Sequence, residues 1–152
     1  MKEETELQPI PLHHTWPLCE RSRQFDLGYI LNCGVIDMVK PPEVGRLGIH
    51  HAGSWECDLA DDSLLWSGGV YDIFGLPRGI KITREAAMML YSEDSRAVME
   101  RLRAYAIKHG VGFTLDVEIR AAIGEVRWMR LIAVPVCAGD RPLRLHGLKL
   151  II

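Results

Sequence analysis

The chain has 152 residues, 48% of them hydrophobic and 25% charged. That composition fits one globular domain with a short extension, and it excludes a disordered, collagenous or coiled-coil chain. The formal net charge of −2 exerts no broad pull toward nucleic acid, and no basic run of useful length supplies a local one.

Cysteines stand at 19, 33, 57 and 137, with no C-x-x-C pair and no zinc spacing. They are expected to be reduced thiols in a cytoplasmic protein. The N-terminus carries acids and prolines where a signal peptide would need an apolar run. The stretch from Leu27 to Val39 is interrupted by Gly28, Asn32, Gly34 and Asp37, and is too short and polar to span a bilayer.

Residues 1–22 are expected to be a loose arm, because Pro9, Pro11 and Pro17 oppose regular structure. Residues 23–39 suggest a helix with Phe25, Tyr29, Ile30, Cys33 and Ile36 toward one side, closed by Pro41 and Pro42. An arm with its cap helix over 1–48 and a domain over 49–152 follow from this division.

From Gly53 the signals sharpen. GSWECDL and DSLLWS suggest two short strands around a turn at Ala60-Asp61-Asp62. Ser67 can cap a short helix, GGVYDIF, that Gly75 stops, and Thr83 can cap a second from Arg84 to Leu90. The spacing predicts a long helix over Glu93–His109, capped by Ser92, with Ala97, Val98, Leu102, Tyr105 and Ala106 as its apolar stripe. Phe113, Leu115, Val117 and Ile119 alternate with polar residues, and after Gly124 a second long strand runs to Cys137. Pairing Ile119 with Val126 and Val117 with Trp128 sets Arg120 opposite Glu125 and Glu118 opposite Arg127, which matches charges. Leu143–Ile152 forms a last strand. The order predicts an α+β domain: a five-stranded antiparallel sheet with short helices and one long helix on one face, plus an N-terminal helical extension.

In their order and spacing these residues resemble the PAS fold, in particular the subgroup called PAS fold-3. The resemblance covers roughly residues 49 to 152. It is carried by Trp55 with Asp58, by Leu65-Trp66-Ser67 followed by Tyr71, Phe74 and Gly75, and by Ser92-Glu93-Asp94-Ser95-Arg96. Glu118-Ile119-Arg120, Gly124-x-x-Arg127-Trp128 and Gly147 complete it. Tyr91-Ser92 replaces the usual His-Pro, Ile123 stands where an Asp usually precedes the hairpin glycine, and Ile151 takes the Asp position of the closing Asp-Ile-Thr signature. The resemblance implies a free-standing sensory module or a sensor fragment.

No G-x-S-x-G, P-loop or glycine-rich phosphate fingerprint frames a catalytic site, so the chain is not expected to be an enzyme. His13-His14 and His50-His51 are adjacent pairs whose side chains diverge on an extended backbone, and no metal site is expected. By resemblance, His109 lies near a position where some relatives carry a haem ligand, though it also suits a helix C-terminus. His146, in the last strand, is a weaker ligand candidate. Flavin-based light sensors of the family carry a reactive cysteine among the short helices. No cysteine lies between 58 and 136 here, so that photochemistry is not expected. No cofactor is assigned, with haem and non-covalent flavin as minor alternatives.

In this fold small ligands sit between sheet and helices. The expected lining is Ile73, Phe74, Met88, Met89, Leu102, Phe113, Leu115, Val117, Trp128, Arg130, Ile132 and Val134, a set that a filled core would share. By the register above, Arg130 shares a face with Trp128 and Ile132, and there it needs either a ligand acid or an acidic side chain. Met129, Leu131 and Ala133 then share the opposite face. Together with Phe25, Tyr29 and Ile30 they are the expected surface for a homodimer or a docked partner. The expected function is a non-catalytic regulatory module that dimerises and docks a signalling protein such as a sensor kinase, by shifting the packing of sheet against helices. The alternative is a receptor for a small acidic metabolite held at Arg130. Neither a membrane nor a nucleic acid is an expected partner.

Overall fold

The computed structural model describes residues 13–23 and 52–152. Its strands are β1 (His13–Pro17), β2 (Ala52–Asp58), β3 (Leu64–Trp66), β4 (Val111–Arg120), β5 (Val126–Ala138) and β6 (Arg141–Ile151). Its helices are α1 (Gly68–Phe74), α2 (Arg84–Met88) and α3 (Glu93–His109), with a 3-10 turn at Leu18–Glu20. All strands join one antiparallel sheet in the order β1-β4-β5-β6-β2-β3. The α+β class is as expected, and the sheet has six strands rather than five.

The added strand is β1, in a segment expected to be loose. Pro17 is its last residue and β1 lies on the sheet edge, where a missing N–H costs no ladder bond. Trp16 anchors it: the residue is buried, its indole Nε1–H donates to Thr114 Oγ1 at 3.0 Å, and its ring lies against Gly112, where a Cβ would collide with it.

Helix α3 forms where the caps place it. Ser92 Oγ accepts from Ser95 N at 3.3 Å, and Gly110 closes the helix at φ 64°. Its buried residues are Met99, Leu102 and Ala106, while Tyr105 is 48% exposed and Ala97 is also exposed. The stripe is thus rotated from the expected one, so Arg103 joins the inner side. Thr83 caps α2 as expected, but that helix stops at Met88. Ser67 precedes α1 without capping it. Its Oγ accepts from Ser54 N at 2.9 Å, fastening the helix start to β2.

The β4–β5 register differs from the expected one by a single residue. Val117 faces Met129, Ile119 faces Arg127 and Arg120 faces Val126, while Glu118 faces Trp128. A one-residue slip turns every side chain of a strand over. Met129, Leu131 and Ala133, expected on a docking face, therefore lie in the main core with Phe74, Phe113 and Val117. Trp128, Arg130, Ile132 and Val134, expected in the ligand cavity, lie on the other face. Two ties fix this arrangement. Arg127 reaches inward and donates from Nη1 to Asp72 O at 2.9 Å and Ile73 O at 2.8 Å, closing the C-terminal end of α1. On the outer face Arg130 meets Asp116, directly opposite.

The core packs between the sheet's inner face and the three helices. The outer face carries a second buried cluster of Trp16, Ala52, Ile132, Val134, Leu148 and Leu150. Phe25, Tyr29 and Ile30, and the helix expected over 23–39, fall outside the described residues except for Arg23.

Candidate functional site

β2, β3 and β6 bring Trp55, Cys57, Trp66 and Lys149 together on the inner face, under Arg84 of α2, Tyr91, and Met99 and Arg103 of α3. These residues line a cavity of about 40 Å³. It is small because large rings occupy the space around it. Trp66 stacks on Phe74 with centroids 4.9 Å apart, and Phe74 lies 5.9 Å from Tyr91.

Lys149 is the unusual group. Its neighbours Leu148 and Leu150 face the outer cluster, so strand alternation drives Lys149 into the core. It is 5% exposed. Nζ donates to Tyr91 Oη at 3.1 Å and stands 5.0 to 5.7 Å from the ring centroids of Phe74, Trp55, Trp66 and Tyr91. Such a cage favours an ammonium by cation–π attraction. No carboxylate pairs with Lys149 among the described residues, and burial pulls its pKa down to about 7, against an upward pull from Cys57 and with Arg84 adding to the fall. Burial also raises the Cys57 thiol, against the opposing pull of Arg103, and pushes the Tyr91 phenol well above its usual range.

The remaining polar groups of the lining are donors. The indole Nε1–H groups of Trp55 and Trp66 are buried and have no hydrogen-bond partner among the described residues. Arg84 pairs with Glu100, and Arg103 with Asp62 at 2.9 Å; both carboxylates are the more exposed members of their pairs.

Among the residues expected to form the cavity, Met88 and Phe113 line it. Ile73, Phe74, Leu102, Leu115 and Val117 belong to the surrounding core. Met89 is 71% exposed, because α2 ends before it and turns it outward. Leu131, expected on a docking surface, lines the cavity. Trp128 lies instead in an open groove at the sheet edge with His13, Val98 and Asp116. His109 is exposed at the end of α3, beside Tyr105. Among the described residues no cluster of His, Cys, Asp or Glu could hold a metal ion.

Arg130 has its acid partner within the chain. Its Nε and Nη2 donate to Asp116 Oδ1 and Oδ2 at 2.8 and 3.0 Å, and the Asp116 side chain has no exposed surface. It is a structural fork on the outer face, away from the cavity. Arg130→Ala leaves a buried carboxylate without that fork and is expected to cost about 2 kcal/mol in urea unfolding, less than a fully buried pair because Arg130 is partly exposed. A change within about 0.5 kcal/mol, the range of ordinary surface substitutions, would contradict this role.

A bulky planar cofactor does not fit the arrangement. Pockets for drug-sized ligands occupy roughly 300 Å³ or more, several times this cavity, and the two tryptophans and Phe74 fill the intervening space.

Comparison with known proteins agrees with this architecture. A family model described as PAS fold matches residues 63–148. No curated protein matches the chain in sequence. Among solved structures, an RNA-binding light-oxygen-voltage receptor superimposes with a TM-score of 0.59 at 16% identity, covering 66% of this chain and 29% of the receptor. A sensory box histidine kinase/response regulator from Burkholderia thailandensis gives 0.56 at 20% identity, covering 66% of this chain and 76% of that one. The N-terminal domain of a diguanylate cyclase with PAS/PAC sensor from Marinobacter aquaeolei gives 0.59 at 15% identity, covering 64% and 92%. At such identities the likeness establishes the shared fold. The chain spans under a third of the RNA-binding receptor. Among the described residues no helix is long and apolar enough to cross a membrane.

Proposed function

The chain belongs to the PAS fold family, and from that premise we propose that it is a sensory and regulatory module without catalysis of its own, one that pairs with a second copy and docks a signalling protein such as a sensor kinase. The observation that carries this reading is the family match across most of the sheet and helices, and it implies signal sensing. Two structural neighbours, a sensory box histidine kinase/response regulator and a diguanylate cyclase with a PAS/PAC sensor, support a signalling partner. A sheet with an apolar cluster on each face is the kind of element whose packing a signal can shift. Met129, Leu131 and Ala133, expected on the docking surface, lie in the core and are not offered to a partner.

Light scattering of the full chain at high concentration is expected to give twice its 17.2 kDa mass, and monomer alone would remove the pairing. Joined to the catalytic domains of a histidine kinase stripped of its own sensor, the chain is expected to restore regulated autophosphorylation. A joined kinase with unregulated activity would remove the docking role.

A further inference from the structure

The cavity beside Lys149 presents an imbalance of chemistry. Lys149 Nζ, the guanidiniums of Arg84 and Arg103, and the indole N–H groups of Trp55 and Trp66 are all donors, and three of the five are cations. The acceptors in the lining are weak or taken: Tyr91 Oη receives Lys149, and Cys57 offers only sulfur. Glu100 and Asp62 answer the two arginines, leaving the ammonium without a counter-charge among the described residues. The two indoles, each over nine-tenths buried, stay unsatisfied, and buried polar groups normally find partners.

We propose that this cavity is the seat of a compact monovalent anion of a few heavy atoms, a small carboxylate such as formate or acetate, held by the Lys149 ammonium and by the donors of Trp55, Trp66, Arg84 and Arg103. The ligand class follows from charge and size together. An acceptor-rich anion supplies partners for the two unsatisfied indoles and a counter-charge for Lys149, beside two arginines already paired. A volume of about 40 Å³ admits roughly three water-sized groups and no ring. The inference deepens the sensory reading by naming the kind of signal, and it rests on that reading for its biological meaning.

Binding of this kind is coupled to a proton. Without anion, burial holds Lys149 near its half-charged point at pH 7, and the anion draws it to the ammonium. The groups facing Lys149 are Cys57 from β2, Arg84 from α2, Tyr91, and Arg103 from α3. The thiol and phenol are pushed upward by burial, away from the relevant window. Affinity should therefore fall about thirty-fold between pH 6.0 and pH 8.5, as the ammonium is lost.

The test is titration of the full 152-residue chain with sodium formate, acetate and benzoate at constant ionic strength, read by tryptophan fluorescence at both pH values. Saturable binding of formate or acetate at pH 6.0, weakened at pH 8.5 and absent for benzoate, is the expected result. Lys149→Met should abolish it, and Arg130→Ala, on the outer face, should leave it unchanged. In the unsubstituted chain carrying 13C at lysine Cε, saturating formate should move the Lys149 titration upward by more than about two pH units, the shift that a thirty-fold change implies. An unmoved titration overturns the proposal even if Lys149→Met fails to fold, and so does binding of equal strength at both pH values. These measurements need no kinase or dimer, so the anion seat and the docking reading fail separately.

Discussion

Between pH 7 and pH 9 the folded chain is expected to gain about 2 kcal/mol of stability, well above the acid window in which a fold held by buried carboxylate pairs changes. The source is Lys149. Its ordinary pKa of 10.5 applies in the unfolded chain, and burial brings it to about 7 in the fold. Between those values the unfolded state binds more protons than the folded one, so stability rises with pH. Cys57 and Tyr91 act oppositely. Their folded pKa values are raised, and the stability they contribute is lost above their ordinary values of 9.0 and 10.0. The rise should therefore flatten beyond about pH 9. Urea unfolding at half-unit steps of pH measures the slope. Lys149→Met, of similar length and without charge, should abolish the rise and stabilise the fold at pH 7 by about 2 kcal/mol, since an unpaired buried charge is replaced by apolar packing. An unchanged slope in that variant would mean that another group titrates. An equal stability at pH 7 and pH 9 in the parent chain would mean that water reaches Lys149 and removes the burial penalty.

The sequence made α3 plain because three independent signals agree there: Ser92 at one end, Gly110 at the other and an apolar period between. The β4–β5 hairpin shows the opposite situation. β5 is apolar on both faces from Leu131 to Val136, so alternation does not say which side faces the helices. The charge pairs Glu118–Arg127 and Arg120–Glu125 favoured one register, yet surface pairs are worth a few tenths of a kcal/mol. Two stronger ties decide the other: Arg127 on the carbonyls ending α1, and the Arg130–Asp116 fork. The first depends on a helix position that local pattern does not give, and the second is a cross-strand pair whose strength comes from the burial of Asp116, which the pattern does not show either. The error then spread to the site, moving Arg130 into the cavity and Leu131 out of it. Lys149 was legible in principle. In Gly147-Leu148-Lys149-Leu150-Ile151 both leucines alternate outward, which leaves a lysine inward beside the glycine. A charge inside an apolar strand is the signal that was available.

Gly147→Ala is expected to be the most damaging single-methyl substitution in the sheet, costing about 3 kcal/mol and lowering the unfolding midpoint by about 10 °C. Gly147 sits on β6 between Trp55 of β2 and Ala133 of β5. A Cβ built there would collide with the backbone carbonyl oxygen of Ile132, and its carbonyl carbon would lie 2.7 Å away. The obstacle is the neighbouring strand itself, not a side-chain tip that can rotate, so relief requires β5 and β6 to part. Those strands form the centre of the sheet, and Lys149 lies on the same face two residues on. Parting them should therefore disturb the cavity as well as the fold. Gly110→Ala gives the contrast. Nothing lies within 4 Å of its added methyl, and the cost there is the left-handed backbone at φ 64°, about 1 to 2 kcal/mol. Thermal unfolding of the two variants side by side separates close approach from backbone conformation. If Gly147→Ala proves no worse than Gly110→Ala, then β5 and β6 yield to a methyl at little cost, and the tight central seam that holds Lys149 against its cage is looser than this geometry requires.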